Sequence, residues 1–387
     1  MSFPSSPISI VASASIPLQP DKAIYLPVLT GLRGIAAWLV FFHHYPFAQT
    51  PFGQAQRLAA DLLPEGLPIL LLLSGFLIAL RYDDPNSSSL GPKGGWRRYL
   101  QNRVARIYPL YLLLTVLTFA LLYRWGSTDA TPGIFLLNVT FLRGFFDEYK
   151  FTGLLQGWSL TLLECFYLAA PVLLGLRRRG LLPLWLQPPL LLGLGYVLVE
   201  LLAPLQWHGF FGSQYFMLSY TFLGHSLEFY VGVWIAGRYL SGNLPSRKTW
   251  LGLTGLAVLL LFVHNGALVH AQATMAHPAE HPLTLIVRLF FAPFLYGLLL
   301  VGLLSEASWL RRVLSSPLFQ QLGYSSYALY LLHAGPLSFW IYERLPAFWP
   351  LQLAAAQLVS YGLYQFIEEP VGRWLRPKRP ILVSSSA

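Results

Sequence analysis

The sequence predicts an all-α membrane protein of about ten transmembrane helices with both termini cytoplasmic, and three observations carry that expectation. Only 11% of the 387 residues are charged, against 55% hydrophobic, and the mean hydropathy is +0.53; soluble domains carry about 25% charged residues. Apolar runs of roughly 20 residues, the length a helix needs to cross the hydrocarbon core, recur from end to end. Basic residues are also unevenly shared between the loops. Those after the even-numbered spans, with the C-terminal tail, hold 18 Lys and Arg, and the opposite loops hold 5. By the positive-inside rule the first set is cytoplasmic.

In chain order, residues 1–22 are rich in Ser and Pro and lack the basic start of a secretory signal, so they read as a disordered tail. Residues 23–376 read as one membrane-embedded domain, and 377–387 as a cytoplasmic tail. The spans centre near Ala37, Leu71, Leu114, Phe166, Gly193, Phe229, Val258, Pro293, Leu331 and Leu358, and Pro188 and Pro189 interrupt the fifth. The net charge of +10 lies in the loops. It therefore reports topology and not a nucleic-acid partner. The single cysteine, Cys165, sits in an apolar run, where it packs as a small hydrophobe and can form no intrachain disulfide. No internal repeat stands out, which weakens a transporter built from inverted halves.

Chemistry must then sit in or beside the membrane, and the first span carries the groups for it. "LTGLRGIAAWLVFFHHY" places Arg33 near its inner end and His43 and His44 near its outer end. Eleven residues at about 100° each bring Arg33 and His44 to one face, about 16 Å apart along the axis, whereas His43 falls some 80° off. Ionisable groups inside a span usually face a polar cavity; a snorkelling arginine and interfacial histidines explain each residue singly but not the shared face. A histidine there suits a general base, and an arginine suits an anion. The loop from Arg81 to Arg106 is the densest basic cluster, with Arg98, Arg103 and Arg106 entering the third span. Such arginines suit the phosphates of coenzyme A, or simply mark topology. Glu228 and Arg288 are expected as deep charges that pair with each other or with Arg33, Glu228 chiefly as a structural ion pair.

"GLRGIAAWLVFFHH" resembles the signature of acyltransferase family 3, the integral-membrane O-acyltransferases, in which an arginine is followed by ten residues and a histidine. "LLLSGFLI" around Ser74, "RVARIYPLYLL" from Arg103, "WSLTLLECFYLAAP" from Trp158, "SSYALYLLHAGP" ending beyond His333, and "FIEEP" with Glu368 follow in the family's order, so the resemblance covers about residues 25–375. Two positions depart from it. Pro68 and Ile69 stand where the family often has an acidic residue, and the family's glutamate position holds Leu163, with Glu164 one place later and so rotated by about 100°.

The resemblance implies an acyl-CoA donor and a hydroxyl acceptor on a sugar, glycolipid or polysaccharide, with no bound cofactor. His44 and Arg33 are then catalytic, Arg98, Arg103, Arg106 and Ser74 meet acyl-CoA, and Glu164, Trp158, Tyr167, His333 and His43 support the acceptor side. Trp38 is a further candidate to stack on a sugar ring. The spacing of His270, His277 and His281 is irregular, no metal is expected, and neither a phosphate loop nor a nucleophile elbow occurs. Transfer is either direct or through an acylated His44. The expected location is the bilayer of a bacterial inner membrane. A secondary transporter or flippase, with the intramembrane charges as a proton relay, is the rival from another class.

Overall fold

A computed structural model describes residues 25–45, 53–63, 65–83, 95–245, 252–274 and 282–376. The expected tails, 1–22 and 377–387, and His277 and His281 lie outside the described residues. Helix α1 (Pro27–His44) is followed by α2 (Gly53–Leu62), α3 (Gly66–Tyr82), α4 (Trp96–Arg124) and α5 (Pro132–Val139). Next come α6 (Trp158–Arg178), α7 (Gln187–Leu202), α8 (Gln214–Tyr220), α9 (Ser226–Leu240) and α10 (Gly252–Thr274). Helix α11 (Pro282–Ile286) runs through a π-turn at Val287–Phe291 into α12 (Ala292–Ser305). The chain ends with α13 (Trp309–Leu314), α14 (Pro317–Tyr324), α15 (Ser326–Leu332), α16 (Pro336–Tyr342), α17 (Trp349–Leu363), a second π-turn at Tyr364–Glu368, and α18 (Glu369–Leu375). Among the described residues there is no β-strand.

Among the described residues, six helical stretches are long and apolar enough to cross a membrane: Gly53–Tyr82, Trp96–Arg124, Leu155–Arg178, Leu184–Leu205, Leu253–His270 and Thr284–Ser305. They contain six of the ten expected centres. The other four fall on α1, which Arg33, His43 and His44 make less apolar, and on α9, α15 and α17, which have 15, 7 and 15 residues. The structure is thus an all-helical, multi-pass membrane bundle. Pro188 and Pro189 do not interrupt the fifth expected span. They occupy the first turn of α7, where a missing N–H costs no intrahelical bond.

Helix α1 is the central element, packed on α3, α13, α14 and α15. Its approach to α14 is set by glycine. A Cβ on Gly34 would lie 2.9 Å from the backbone nitrogen of Gly323, and one on Gly323 would collide with the Thr30 carbonyl. Gly34 therefore belongs to the same "LRG" that carries Arg33 because only hydrogen fits between the two backbones. The Ser-Gly-Phe stretch has the same logic: Gly75 of α3 meets the Phe229 carbonyl of α9, and Gly232 of α9 meets the Leu72 carbonyl. Small residues of this kind let membrane helices gain close van der Waals contact where lipid offers no hydrophobic drive. Buried Glu306 closes the start of α10 by accepting from the backbone N–H of Leu253 (2.6 Å) and Thr254 (3.0 Å) and from Thr254 Oγ1 (2.8 Å), a carboxylate at the positive end of a helix.

Candidate functional site

Two polar poles lie at opposite ends of α1, and each is assembled by irregularities in the neighbouring helices. At the first, Arg33 faces Arg106 of α4 and Glu368 of the second π-turn, with Tyr25 and Tyr167 beside it. Arg106 in turn faces Glu368, Tyr167, Arg103 and Arg376. The Nε atoms of Arg33 and Arg103 and Oε2 of Glu368 are buried without a hydrogen-bond partner. Three guanidinium groups, Arg33, Arg103 and Arg106, thus lie within electrostatic reach of the carboxylates Glu368 and Glu164, the latter sensing Arg103. The local excess of positive charge suits an anion.

The rings around Arg103 are placed by a proline. Pro171 inside α6 has no N–H for the carbonyl four residues earlier, that of Tyr167. Tyr99 donates its hydroxyl to that carbonyl at 2.8 Å, and Tyr99, Tyr167 and Tyr82 then surround the Arg103 guanidinium at 5.5, 5.0 and 5.4 Å from their ring centres. Such faces stabilise a cation through the ring quadrupole. Pro109 acts alike in α4: it frees the Ala105 carbonyl, against which Gly372 of α18 packs closely. Arg98 is half-buried on the first turn of α4. Ser74 donates to the Leu70 carbonyl of its own helix (2.9 Å), so its hydroxyl is engaged in α3.

At the second pole, His44 and His333 meet edge to face with ring centres 4.9 Å apart. His44 Nδ1 lies 2.9 Å from the Val40 carbonyl, and His333 Nδ1 lies 2.7 Å from the Tyr330 carbonyl. A carbonyl only accepts, so each Nδ1 carries a proton, and in the neutral ring each Nε2 presents its lone pair. His44 is exposed, whereas His333 is buried and its Nε2 has no partner. Beneath them the Tyr330 hydroxyl and Ser159 Oγ, at the head of α6, are 2.5 Å apart, and Ser159 also donates to the Gln156 carbonyl (2.7 Å). Gln156 reaches across to donate to the Leu331 carbonyl. Gly335, at φ 101°, turns the chain out of α15 beyond His333.

Arg143, counted above among loop charges, is fully buried. It donates to Asn138 Oδ1 (2.6 Å) and to the Leu154 carbonyl, pinning the segment that leads to Gln156 and Ser159. Trp158 packs edge-on against Tyr220 at 5.0 Å. Trp38 donates to Gln357 Oε1 of α17 (2.9 Å), so it braces two helices. His43 lies on another side of α1, with its Nε2 buried and unpartnered and Glu65 as an electrostatic neighbour.

Glu228 and Arg288 pair neither with each other nor with Arg33. Glu228 bonds buried His225 at 3.0 Å, and Arg288 bonds Glu65 at 3.2 Å. The two acids sit at the starts of α9 and α3: His225 lies three residues before Glu228, whereas Arg288 lies 223 residues along the chain from Glu65. The carboxylate of Glu164 faces Arg103 and so lies toward the arginine pole, as its 100° displacement from the family position allows. Sequence reasoning missed Ser159, Gln156 and Tyr330 as companions of the histidines. The signal was present in Tyr330 and His333, three apart on one helical face.

An acyltransferase-domain family model matches residues 26–365. The acyltransferase MdmB of Streptomyces mycarofaciens is 25% identical over 410 aligned residues, covering 94% of this chain and 96% of its own. The O-acetyltransferase OatA of Staphylococcus aureus (strain NCTC 8325) is 23% identical over 382 residues, covering 90% of this chain and 57% of its own. A putative O-acetyltransferase of S. aureus strain COL is likewise 23% identical over 378 residues, at 90% and 58%. The chain thus spans a little under three fifths of the length of these staphylococcal relatives. No solved structure matches it. The match over nearly the whole chain shows the family: the chain belongs to acyltransferase family 3, a family of acyl-transferring enzymes.

Proposed function

We propose that the protein is a membrane O-acyltransferase that moves an acyl group, acetyl in the first instance, from acyl-CoA to a hydroxyl of a carbohydrate or glycolipid. The observation that carries this reading is the division of labour along α1, with an anion-holding pole at Arg33 and a pair of imidazoles with free Nε2 atoms at its other end. Eleven residues separate Arg33 from His44, about 16 Å at 1.5 Å per residue. An extended pantetheine arm separates the thioester of acyl-CoA from its phosphates by a comparable length, so the donor fits with its phosphates at Arg33, Arg103 and Arg106 and its thioester toward His44.

In the proposed step the acceptor hydroxyl gives its proton to His44 Nε2 as its oxygen attacks the thioester carbonyl. The C–S bond breaks, and the coenzyme A thiolate leaves and takes up that proton. The Val40 carbonyl holds the His44 tautomer that leaves Nε2 basic, and His333 packs against the ring to fix its plane. Arg33 and Arg106 bind the donor's anionic groups, and planar guanidinium forks match phosphate oxygens. No serine or cysteine nucleophile is used. The protein's long apolar helices support a location in a membrane.

The test is purified protein incubated with labelled acetyl-CoA and a carbohydrate or glycolipid acceptor. The expected result is label in the acceptor and free coenzyme A. Movement of glycan or lipid across vesicles without turnover of acetyl-CoA would refute the reading in favour of a transporter.

A further inference from the structure

We infer that the arginine-rich end of the bundle carries a site for the phosphate headgroup of an anionic membrane lipid, distinct from the donor pole. A groove of about 420 Å³ opens where the ends of α3, α6 and α9 meet, lined by Asp83, Arg177, Leu184, Trp234, Arg238 and Ser241. Asp83 is the one acid among its described lining residues. That carboxylate binds Arg177, and Arg238 adds a second guanidinium at the rim, so the described lining holds two cations to one acid. Arg177 Nε is buried with no partner. Arg238 is exposed and makes a 3.3 Å bond to the Asn243 carbonyl, leaving further N–H groups to the groove.

Charge complementarity therefore asks for an anion, and the apolar wall says which kind. Trp234, 55% exposed, stands one helical turn before Arg238 and on the same face of α9. An indole and a guanidinium one turn apart on one helix face fit the level where acyl chains give way to headgroups, the ring among the chains and the cation at the phosphate. Basic pockets between membrane helices take lipid headgroups by this chemistry, and the arginine fork matches phosphate oxygens. A free phosphate ion would use the cations but gain nothing from Trp234 and Leu184.

Tyr82 is the boundary between this groove and the donor pole. Its ring lies beside Arg103, 5.4 Å from the guanidinium, and its carbonyl accepts from Arg178 at 3.4 Å. Arg238 and Trp234 lie on the groove side and take no part in the donor pole.

The experiment is native mass spectrometry of the full-length protein, delipidated in zwitterionic detergent and titrated with phosphatidylglycerol or phosphatidylcholine. Expected are retention of one phosphatidylglycerol, little phosphatidylcholine, and about tenfold weaker retention by Arg238→Gln, the loss of one charged hydrogen bond. Trp234→Ala should weaken it as well, and acetyl transfer by both variants in lipid-free detergent should equal wild type. Equal retention of the two lipids, or unaltered retention by both variants, would overturn the proposal. Displacement of the lipid by acetyl-CoA would make the groove part of the donor site, and displacement by inorganic phosphate would make it a site for a free ion. Either result also overturns it.

Discussion

Replacing His44 by alanine separates chemistry from stability, because the structure makes the two costs unequal. The side chain is exposed and makes one hydrogen bond, to a carbonyl of its own helix. Its loss leaves no buried group unsatisfied, and alanine is the best helix former, so the stability cost should stay below about 1 kcal/mol. Loss of a general base costs about a hundred- to ten-thousandfold in rate, or roughly 2.7 to 5.5 kcal/mol in activation free energy. His333→Ala should behave differently. That ring is buried against His44 and Tyr330, so its removal opens a cavity and lowers stability by about 1 to 3 kcal/mol along with activity. His43→Ala should keep most of the activity, since His43 stands about 100° from His44 around α1 and its Nε2 is buried in the packing. The assay is transfer from labelled acetyl-CoA by purified variants, matched for folded protein by thermal unfolding. Full activity of His44→Ala, or inactivity of His43→Ala beside an active His44→Ala, would refute the assignment of the base.

At the arginine pole, Arg106→Ala should raise the KM for acyl-CoA about ten- to a hundredfold with a smaller change in kcat, the loss of one charge-assisted bond of about 1.5 to 3 kcal/mol; an unchanged KM removes it from the donor site. Tyr99→Phe leaves the Tyr167 carbonyl, already without its helical partner because of Pro171, unsatisfied in a buried place. Thermal unfolding should show a loss of about 1 to 3 kcal/mol, and Arg103 should lose donor affinity as its cage loosens. For topology, cysteine labelling from outside in a background lacking Cys165 should reach position 147 and not position 97. The opposite pattern would reverse the donor side.

The sequence by itself determined the solvent, the element type and the family. Its apolar runs could satisfy their backbone only as helices in lipid, and the eleven-residue interval from Arg33 to His44 fixed a common face from helix geometry alone, because both residues lie on one uninterrupted element. Motifs in sequence order likewise carried the family, since each is local. What the sequence left undecided is whatever depends on which helices touch. Glu228 is met by His225, three residues before it, and only the fold brings Arg288 to Glu65, 223 residues away, where the sequence suggested that the two deep charges met. Arg143 read as a loop charge until the fold buried it. The sequence does not say what meets the carbonyls that Pro171 and Pro109 free, and only packing shows them taken by Tyr99 and approached by Gly372. A helix's own period sets which way a side chain points, but what it finds there is set by the crossing of backbones hundreds of residues apart.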